Sequence, residues 1–427
     1  MKQKRLYQYI APNILAMVGI SCYILADTFF IATAQGTNGI TALNLALPIY
    51  GIIFAIGSMI GTGSAIRYAL AKATGQQEAK KYFSNALIWD VIVSVIFIAA
   101  GLFFPGQVMR VMGADTVIES IGMPYTRIVL CFTPFFMMNY AFTAFVRNDN
   151  APHIAMAATL LSSLFNIVFD YVFMFPLGMG MTGAALATAV SPIVSILICM
   201  VHYLSPKSSV SFHFMVPSVK MLISSCSLGI VAFVGEIASA VTTMVFNFVL
   251  LGLDGNTAVA AYGVIANTAL VGTAIFNGVS QGLQPLASEA HAKGEAEEKK
   301  KILTKSVLTG IVLTVVLIGS VWIFAPQITD VFNSEHSEQL AAYAVPGIRI
   351  YFAGFFAAAI NIIFAGFLSA TDHAKESSIV AITRGIVAII AFALVLPKFL
   401  GITGVWLAFP AAEVLTLFVA LVISKKK

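Results

Sequence analysis

Long apolar runs, separated by short polar or charged stretches, follow one another along the whole chain. Twelve of them are long enough to cross about 30 Å of hydrocarbon as an α-helix. Helix is favoured over barrel strand, since a barrel strand shows only about ten residues of alternating polarity. The pattern predicts an all-α membrane protein with spans 1 to 12 at residues 10–33, 43–66, 84–109, 122–146, 154–176, 181–203, 222–251, 259–288, 303–328, 341–369, 377–397 and 402–424.

The second half of the chain repeats the first. Residues 34–81 align without a gap with residues 253–300, so that Gly63 matches Gly282. Each half holds six predicted spans, an even number, and both halves therefore enter the membrane from the same side. This arrangement is that of parallel repeats related by an axis along the membrane normal.

The end of each half carries the same signal, since FPLGMGMTGAALAT at 175–188 matches LPKFLGITGVWLAF at 396–409. We expect two pseudo-symmetric six-helix lobes, an N-lobe at 1–210 and a C-lobe at 211–427. A polar segment at 203–220 would join them.

Composition supports the membrane interpretation, and the charges add an orientation. Only 10% of the 427 residues are charged, against about 25% in soluble domains. The net charge of +5 does not indicate nucleic acid, because twenty of the 24 lysine and arginine residues are assigned to one side of the bundle. That side is cytoplasmic by the positive-inside rule, so both termini are predicted to face the cytoplasm. Arg67, Arg147 and Arg384 are counted among these loop charges.

Several acidic residues stand inside apolar spans, where an ionised carboxylate costs about 2.5–3.5 kcal/mol. Asp27, Asp170 and Glu236 lie well inside spans 1, 5 and 7. Asp90 lies near the cytoplasmic end of span 3, and Glu413 has no polar neighbour on its own helix face. Each could be a structural acid that hydrogen-bonds between helices. We favour function for the first three, whose oxygens suit a proton, Na⁺ or a cationic substrate.

The densest group of signals is NIVFDYVFMFPLGMGMTGAALAT at 166–188. Asn166 lies one helical turn before Asp170 and therefore on the same helix face. A glycine-rich break and the start of span 6 follow. The two polar side chains are predicted to form a polar floor inside the helix bundle.

Signals for catalysis are weak. The zinc-protease pattern HExxH and the Walker A pattern do not occur, and none of the six histidines falls in the middle of a predicted span. The four cysteines lie within spans and are interpreted as small packing residues: Cys22, Cys131, Cys199 and Cys226. We therefore predict that the chain is not an enzyme and needs no cofactor.

These motifs resemble the multidrug and toxic compound extrusion (MATE) family. The resemblance rests on Asp27 in LADTFFIATAQG, on the glycine-rich end of span 2 and above all on residues 166–188, and it covers nearly the whole chain. It implies a monomer of two lobes in an inverted V, embedded in the cytoplasmic membrane. Such a protein exports drugs and other organic cations by antiport with H⁺ or Na⁺.

The resemblance also implies site residues. The cation-coupling site would consist of Asp27, Asn166, Asp170 and Thr188, with Asp27 and Asp170 as the metal ligands if the ion is Na⁺. Pro12 stands where the family's bent first helix has a proline. Glu236 is similar in position to a glutamate that many members carry on helix seven.

One departure and one alternative remain. Some sodium-coupled members carry an aspartate on helix ten, but span 10 here has only Asn361, which favours coupling in the N-lobe. The alternative function is a flippase for lipid-linked oligosaccharides from the same superfamily. A flippase would need a more cationic cavity, whereas only Arg127 and Arg349 approach the membrane from the outside.

Overall fold

The structure, a computed structural model, describes residues 3–332 and 337–425. Lys2, Lys426 and Lys427, which contribute to the predicted charge bias, lie outside these ranges. The described residues form helices, turns and short irregular connections, with no strand among them.

The predicted spans are confirmed. Within the described residues, ten helices are long and apolar enough to cross a membrane, and two further spans are pairs of helices bent by 48° and 44°. Spans 1 to 12 run Arg5–Gly36, Thr41–Ala73, Ala79–Phe103, Thr116–Cys131 with Thr133–Asn148, Pro152–Met174, Gly180–Tyr203, Val219–Gly255, Thr257–Ala292, Ala296–Phe332, Glu338–Ala353 with Phe355–Ala370, Ala374–Val395 and Pro397–Lys425. A short helix, Pro105–Val111, follows span 3.

Glycines with positive φ allow the sharpest reversals between spans. Gly36 (φ 60°) lies between spans 1 and 2, and Gly255 (φ 68°) lies between spans 7 and 8. These are the conformations that residues with a Cβ rarely adopt. The two glycines match each other in the sequence repeat, so both halves use the same turn. At Pro12 the backbone stays helical, and the only break within Gln3–Ala73 is at Gly36.

Each half has its own apolar core. Buried residues of the first half, such as Tyr68 and Phe145, form one cluster, and buried residues of the second half, such as Phe246 and Trp406, form another. A third cluster joins the halves, because it combines Ile10 of span 1 with residues of span 8.

Two seams hold the halves together, each built from glycines pressed against the opposite backbone. In the 2–7 seam, a Cβ on Gly63 would lie 2.1 Å from the Ser225 carbonyl oxygen, and one on Gly229 would lie 2.0 Å from that of Met59. These contacts confirm that the small residues of span 2 let helices approach closely.

In the 1–8 seam, Cβ atoms on Gly278 and Gly282 would lie 2.5 Å and 2.7 Å from the Cα atoms of Ile14 and Ile10. The segment GVSQG at 278–282 also fits the G-x-S-x-G pattern of hydrolases. Here it is part of a continuous helix, so its glycines serve packing and not a nucleophile elbow.

Asp149, just after span 4, ties four chain segments together at the end that carries the basic loops. Its carboxylate accepts hydrogen bonds from the Tyr68 hydroxyl (2.6 Å), from the backbone N–H of Ser209 (2.9 Å) and from Lys72. The Nε2 atom of His202 lies 2.8 Å from it. Burial raises the pKa of Asp149, but the hydrogen bonds from Lys72, Tyr68 and His202 outweigh burial and lower it to about 2.

We predict that Asp149→Asn lowers the free energy of unfolding by about 2 kcal/mol near neutral pH, because it removes the charge that pairs with Lys72. A carboxylate with a lowered folded-state pKa stabilises the fold above pH 4. That contribution is lost as the pH falls toward 2. Thermal unfolding in detergent from pH 3 to 8 should show the difference shrink on acidification. Glu78→Gln, an exposed carboxylate at the same end, serves as the control, and an equal effect there would contradict the assignment.

Candidate functional site

The four residues predicted to form the coupling site come together inside the first half. Asp27 projects from span 1, Asn166 and Asp170 from span 5, and Thr188 from span 6. All are buried, with 9%, 0%, 0% and 5% exposure respectively. The one-turn spacing of Asn166 and Asp170 places both on the face of span 5 that meets span 6.

The Asn166 amide links Thr188 to Asp170. We orient this amide by its hydrogen-bond network. Its nitrogen then donates to Oδ2 of Asp170 at 3.1 Å, and its oxygen accepts from the hydroxyl (3.2 Å) and backbone N–H (3.3 Å) of Thr188. This arrangement fixes the position of Asp170 relative to span 6.

Asp27 and Asp170 lie side by side on spans 1 and 5, close enough for their carboxyl groups to interact electrostatically. Two carboxylates that share a buried site resist being ionised together unless a cation is present. The pair is chemically suited to hold a proton or a small cation between spans 1 and 5. The Oδ1 atoms of both residues are buried and have no hydrogen-bond partner among the described residues.

The donor set suits a monovalent cation. Two carboxylates, an amide and a hydroxyl are hard oxygen ligands, which alkali and other hard cations prefer. Within the ranges that the structure describes, no group of three or more His, Cys, Asp or Glu side chains is placed to hold a metal ion. A transition-metal centre is therefore not what these residues build.

Glu236 joins this site from the other half. Its Oε1 accepts a hydrogen bond from the Tyr140 hydroxyl at 3.2 Å, which links span 7 to span 4. Tyr23 lies within electrostatic range of Asp27, Asp170 and Glu236. We call these three acids the acidic cluster.

Sequence reasoning missed the tyrosines. Tyr23 lies one turn before Asp27 on the same helix face, and this spacing could have identified it. Tyr50 and Tyr125 come from spans 2 and 4, and both lie within electrostatic range of Asp27. No periodicity within one helix reveals such neighbours, because they come from separate spans.

The remaining two intramembrane acids lie elsewhere. Asp90 is fully buried, and neither of its carboxyl oxygens has a hydrogen-bond partner among the described residues. It lies near Cys226 of span 7. Among the described residues, no hydrogen bond joins Asp90 to the acidic cluster.

Glu413 has polar partners on other helices: its Oε1 lies 2.6 Å from Nε of Arg384, and its Oε2 accepts from Asn361 at 2.8 Å. The prediction that Arg384 is a loop charge is wrong, because it lies in a π-helical turn of span 11, Thr383–Val387. These partners come from spans 10 and 11, so the helix face of Glu413 alone could not show them.

The two halves therefore differ in charge. In the second half, a guanidinium fixed in the protein neutralises the buried Glu413. In the first half, Asp27 and Asp170 have no lysine or arginine within ion-pair distance in the described chain. Asp27 and Asp170 are therefore not compensated by a fixed cation among the described residues.

The fold is that of a multi-pass membrane transporter with two repeated six-helix halves, and the first half contains a cluster of buried acids. A family model described as MatE matches the chain twice, at residues 12–172 and 231–395, once in each half. The chain belongs to the MatE family, which confirms the resemblance seen in the sequence. Membership makes the protein a transporter rather than an enzyme.

Curated relatives match along almost the full chain. The multidrug export protein MepA of Staphylococcus saprophyticus is 25% identical over 423 residues, covering 98% of this chain and 93% of that protein. The MepA of Staphylococcus aureus strain MRSA252 is 24% identical with the same coverage.

Solved structures share the fold. A MATE family transporter of the MOP superfamily, in an outward-facing conformation, superposes with a TM-score of 0.89 at 20% identity, covering 99% of this chain and 95% of that one. A MOP superfamily transporter from Pyrococcus furiosus, described as having a binding pocket of reverse polarity, gives 0.91 at the same identity and coverage.

We predict that Asn166→Leu lowers the free energy of unfolding by about 1–3 kcal/mol, because it leaves Asp170 and Thr188 without their shared partner. The control is Ser163→Ala, about one turn earlier, where the hydroxyl only returns to the Thr159 carbonyl of its own helix. Thermal unfolding of both variants in detergent tests this. Equal melting temperatures for the two variants would show that the amide bridge is not formed.

Proposed function

We propose that this protein exports hydrophobic, mostly cationic small molecules from the cell by exchange against H⁺ or Na⁺. The observation that carries the proposal is the juxtaposition of two buried acids, Asp27 and Asp170, on two different spans. The staphylococcal relatives are multidrug export proteins, which supports the substrate class.

Asp27 and Asp170, here called the acid pair, couple ion binding to the position of span 1. A proton or Na⁺ between the two carboxyl groups holds span 1 against span 5. When the ion leaves, the two ionised groups repel and span 1 is free to move. Because Asn166 anchors Asp170 to span 6 through Thr188, the movement falls on span 1, where Pro12 offers a predicted hinge.

Charge and aromatic rings suit an organic cation. Glu236 is hydrogen-bonded to Tyr140, and Tyr23 lies within electrostatic range of both Glu236 and Asp27. Carboxylates attract a cationic substrate, and tyrosine faces add cation–π attraction of about 0.5–2 kcal/mol. A cationic drug and the coupling ion then compete for the same negative charge, as antiport requires.

The proposed orientation places both termini in the cytoplasm and the coupling ion outside. A monovalent cationic drug exchanged one for one against H⁺ or Na⁺ moves no net charge, so the concentration gradient of the ion drives that exchange. Export of a neutral drug moves one net charge inward. The membrane potential then adds about 2.3 kcal/mol per 100 mV, which is enough to drive accumulation ratios of tens to one. Acids at the site weigh against a flippase for pyrophosphate-linked lipids, because the same charges would repel such a substrate.

We predict that Asp27→Asn and Asp170→Asn each abolish ion-driven efflux, since neither variant can form an acid pair that takes up and releases one cation. Ethidium efflux from proteoliposomes, driven separately by a pH gradient and by a Na⁺ gradient, measures this and identifies the ion.

Asp90→Asn is the matched control for these variants, because it removes a buried aspartate of the same half that does not touch the acid pair. Its efflux is expected to stay within about twofold of wild type. Wild-type efflux by Asp170→Asn under both gradients would exclude the proposed coupling role.

A further inference from the structure

We propose that Arg147 is an electrostatic plug, whose buried positive charge in the 1–8 seam keeps small cations from leaking across the protein between transport cycles. The inference goes beyond the proposed export function, because it concerns the protein without any substrate. The predicted assignment of Arg147 to the loop charges is wrong, since the residue lies within a helix and is 5% exposed.

The guanidinium lies between the acidic cluster and the basic loops. Arg147 follows Tyr140 by seven residues in the second helix of span 4, which is two turns or about 10 Å along the same helix face. The Tyr140 hydroxyl contacts Glu236 of the acidic cluster. Arg147 therefore lies about two turns closer to the basic loops than that contact.

Arg147 bridges both sides of the 1–8 seam. Its Nη1 atom donates to Oδ1 of Asn13 at 3.1 Å and to Oε1 of Gln281 at 2.5 Å. Asn13 lies in span 1 beside the residues that the seam glycines touch, and Gln281 lies in span 8 between those two glycines. The positively charged guanidinium therefore lies at the contact between the two halves.

Its charge is not neutralised within the described chain, where no carboxylate oxygen lies within 4.0 Å of the guanidinium. The carboxylates at this end have other partners, since Glu289 pairs with Arg5 at 3.0 Å and Asp149 pairs with Lys72. Both hydrogen-bond acceptors of Arg147 are neutral amides, and its buried Nε has no partner.

The 2–7 seam offers a contrast. There, Arg67 donates to the Ser224 carbonyl at 3.1 Å and pairs with Asp372 at 2.8 Å. An arginine that serves only to hold the halves together gains from a carboxylate partner, as Arg67 does. The neutral partners of Arg147 hold it in place while preserving its net charge.

The positive charge of Arg147, which no carboxylate neutralises, repels H₃O⁺ and Na⁺ from this buried seam. Coulomb energy at an effective dielectric near 20 lowers cation occupancy within about 5 Å more than tenfold. Fixed arginines impose the same kind of barrier to cations in membrane pores. The acidic cluster attracts cations, so a barrier beyond it keeps an ion gradient from draining through the closed protein.

The decisive variant is Gln281→Glu, which neutralises the guanidinium without removing it and adds an ion pair across the seam. A purely mechanical role predicts an equal or slower leak in this variant. The electrostatic role predicts a faster one. Two further variants complete the set: Arg147→Gln removes the charge, and Arg147→Lys keeps it. Arg110→Gln, which breaks an exposed pair with Glu119 near the opposite end of the first half, is the control.

The measurement is the substrate-free leak of H⁺ or Na⁺ into proteoliposomes that contain an ion-sensitive dye, with the membrane potential clamped by valinomycin and K⁺. Thermal unfolding first confirms that each variant is folded. We expect about tenfold or faster leak for Gln281→Glu and Arg147→Gln, and leak within about twofold of wild type for Arg147→Lys and Arg110→Gln.

A Gln281→Glu variant that is folded and no leakier than wild type would overturn the proposal, even if Arg147→Gln leaks. Ion-driven ethidium efflux is recorded on the same vesicles. If the wild-type protein shows no ion-driven ethidium efflux but the leak rates of the variants follow the expected pattern, the proposed export function is excluded. The role proposed for Arg147 is then still supported.

Discussion

One electrostatic constraint dominates the first half: two carboxyl groups on different helices lie side by side, and no described lysine or arginine forms an ion pair with them. Asp27 and Asp170 are both buried. Two acids in such a position are most stable when one positive charge, a proton or a small cation, compensates them. In the proposed function, the position of span 1 relative to span 5 therefore depends on the occupancy of this one site.

The two halves share a fold and turns at matching glycines, but they differ in whether a buried acid has a fixed cationic partner. In the second half, Arg384 and Asn361 satisfy Glu413 permanently. In the first half, Asp27 and Asp170 have no such partner among the described residues, and the proposed function assigns that role to an exchangeable ion. Glu236 of the second half contacts Tyr140 of the first half near these two acids.

Much of the fold could be predicted from the sequence, because apolar length and repeat spacing are local signals. The apolar runs predict all twelve spans, including the bent spans 4 and 10 as one crossing each. The one-turn spacing of Asn166 and Asp170 predicts that they lie together. The partners of Glu413 and the burial of Arg147 could not be predicted, since they depend on which helices pack together. From the sequence alone, a charged residue at the end of a span is assigned to a loop, because the sequence does not show which neighbouring span buries it.

If the proposed exchange takes place, binding of a substrate releases one cation from Asp27 and Asp170. Purified protein in detergent is mixed with ethidium while a pH indicator records proton release and a sodium electrode records Na⁺ release. We expect about one H⁺ or Na⁺ released per substrate bound, and none from Asp27→Asn. Tight substrate binding to the wild-type protein with release of neither ion would exclude exchange at this site.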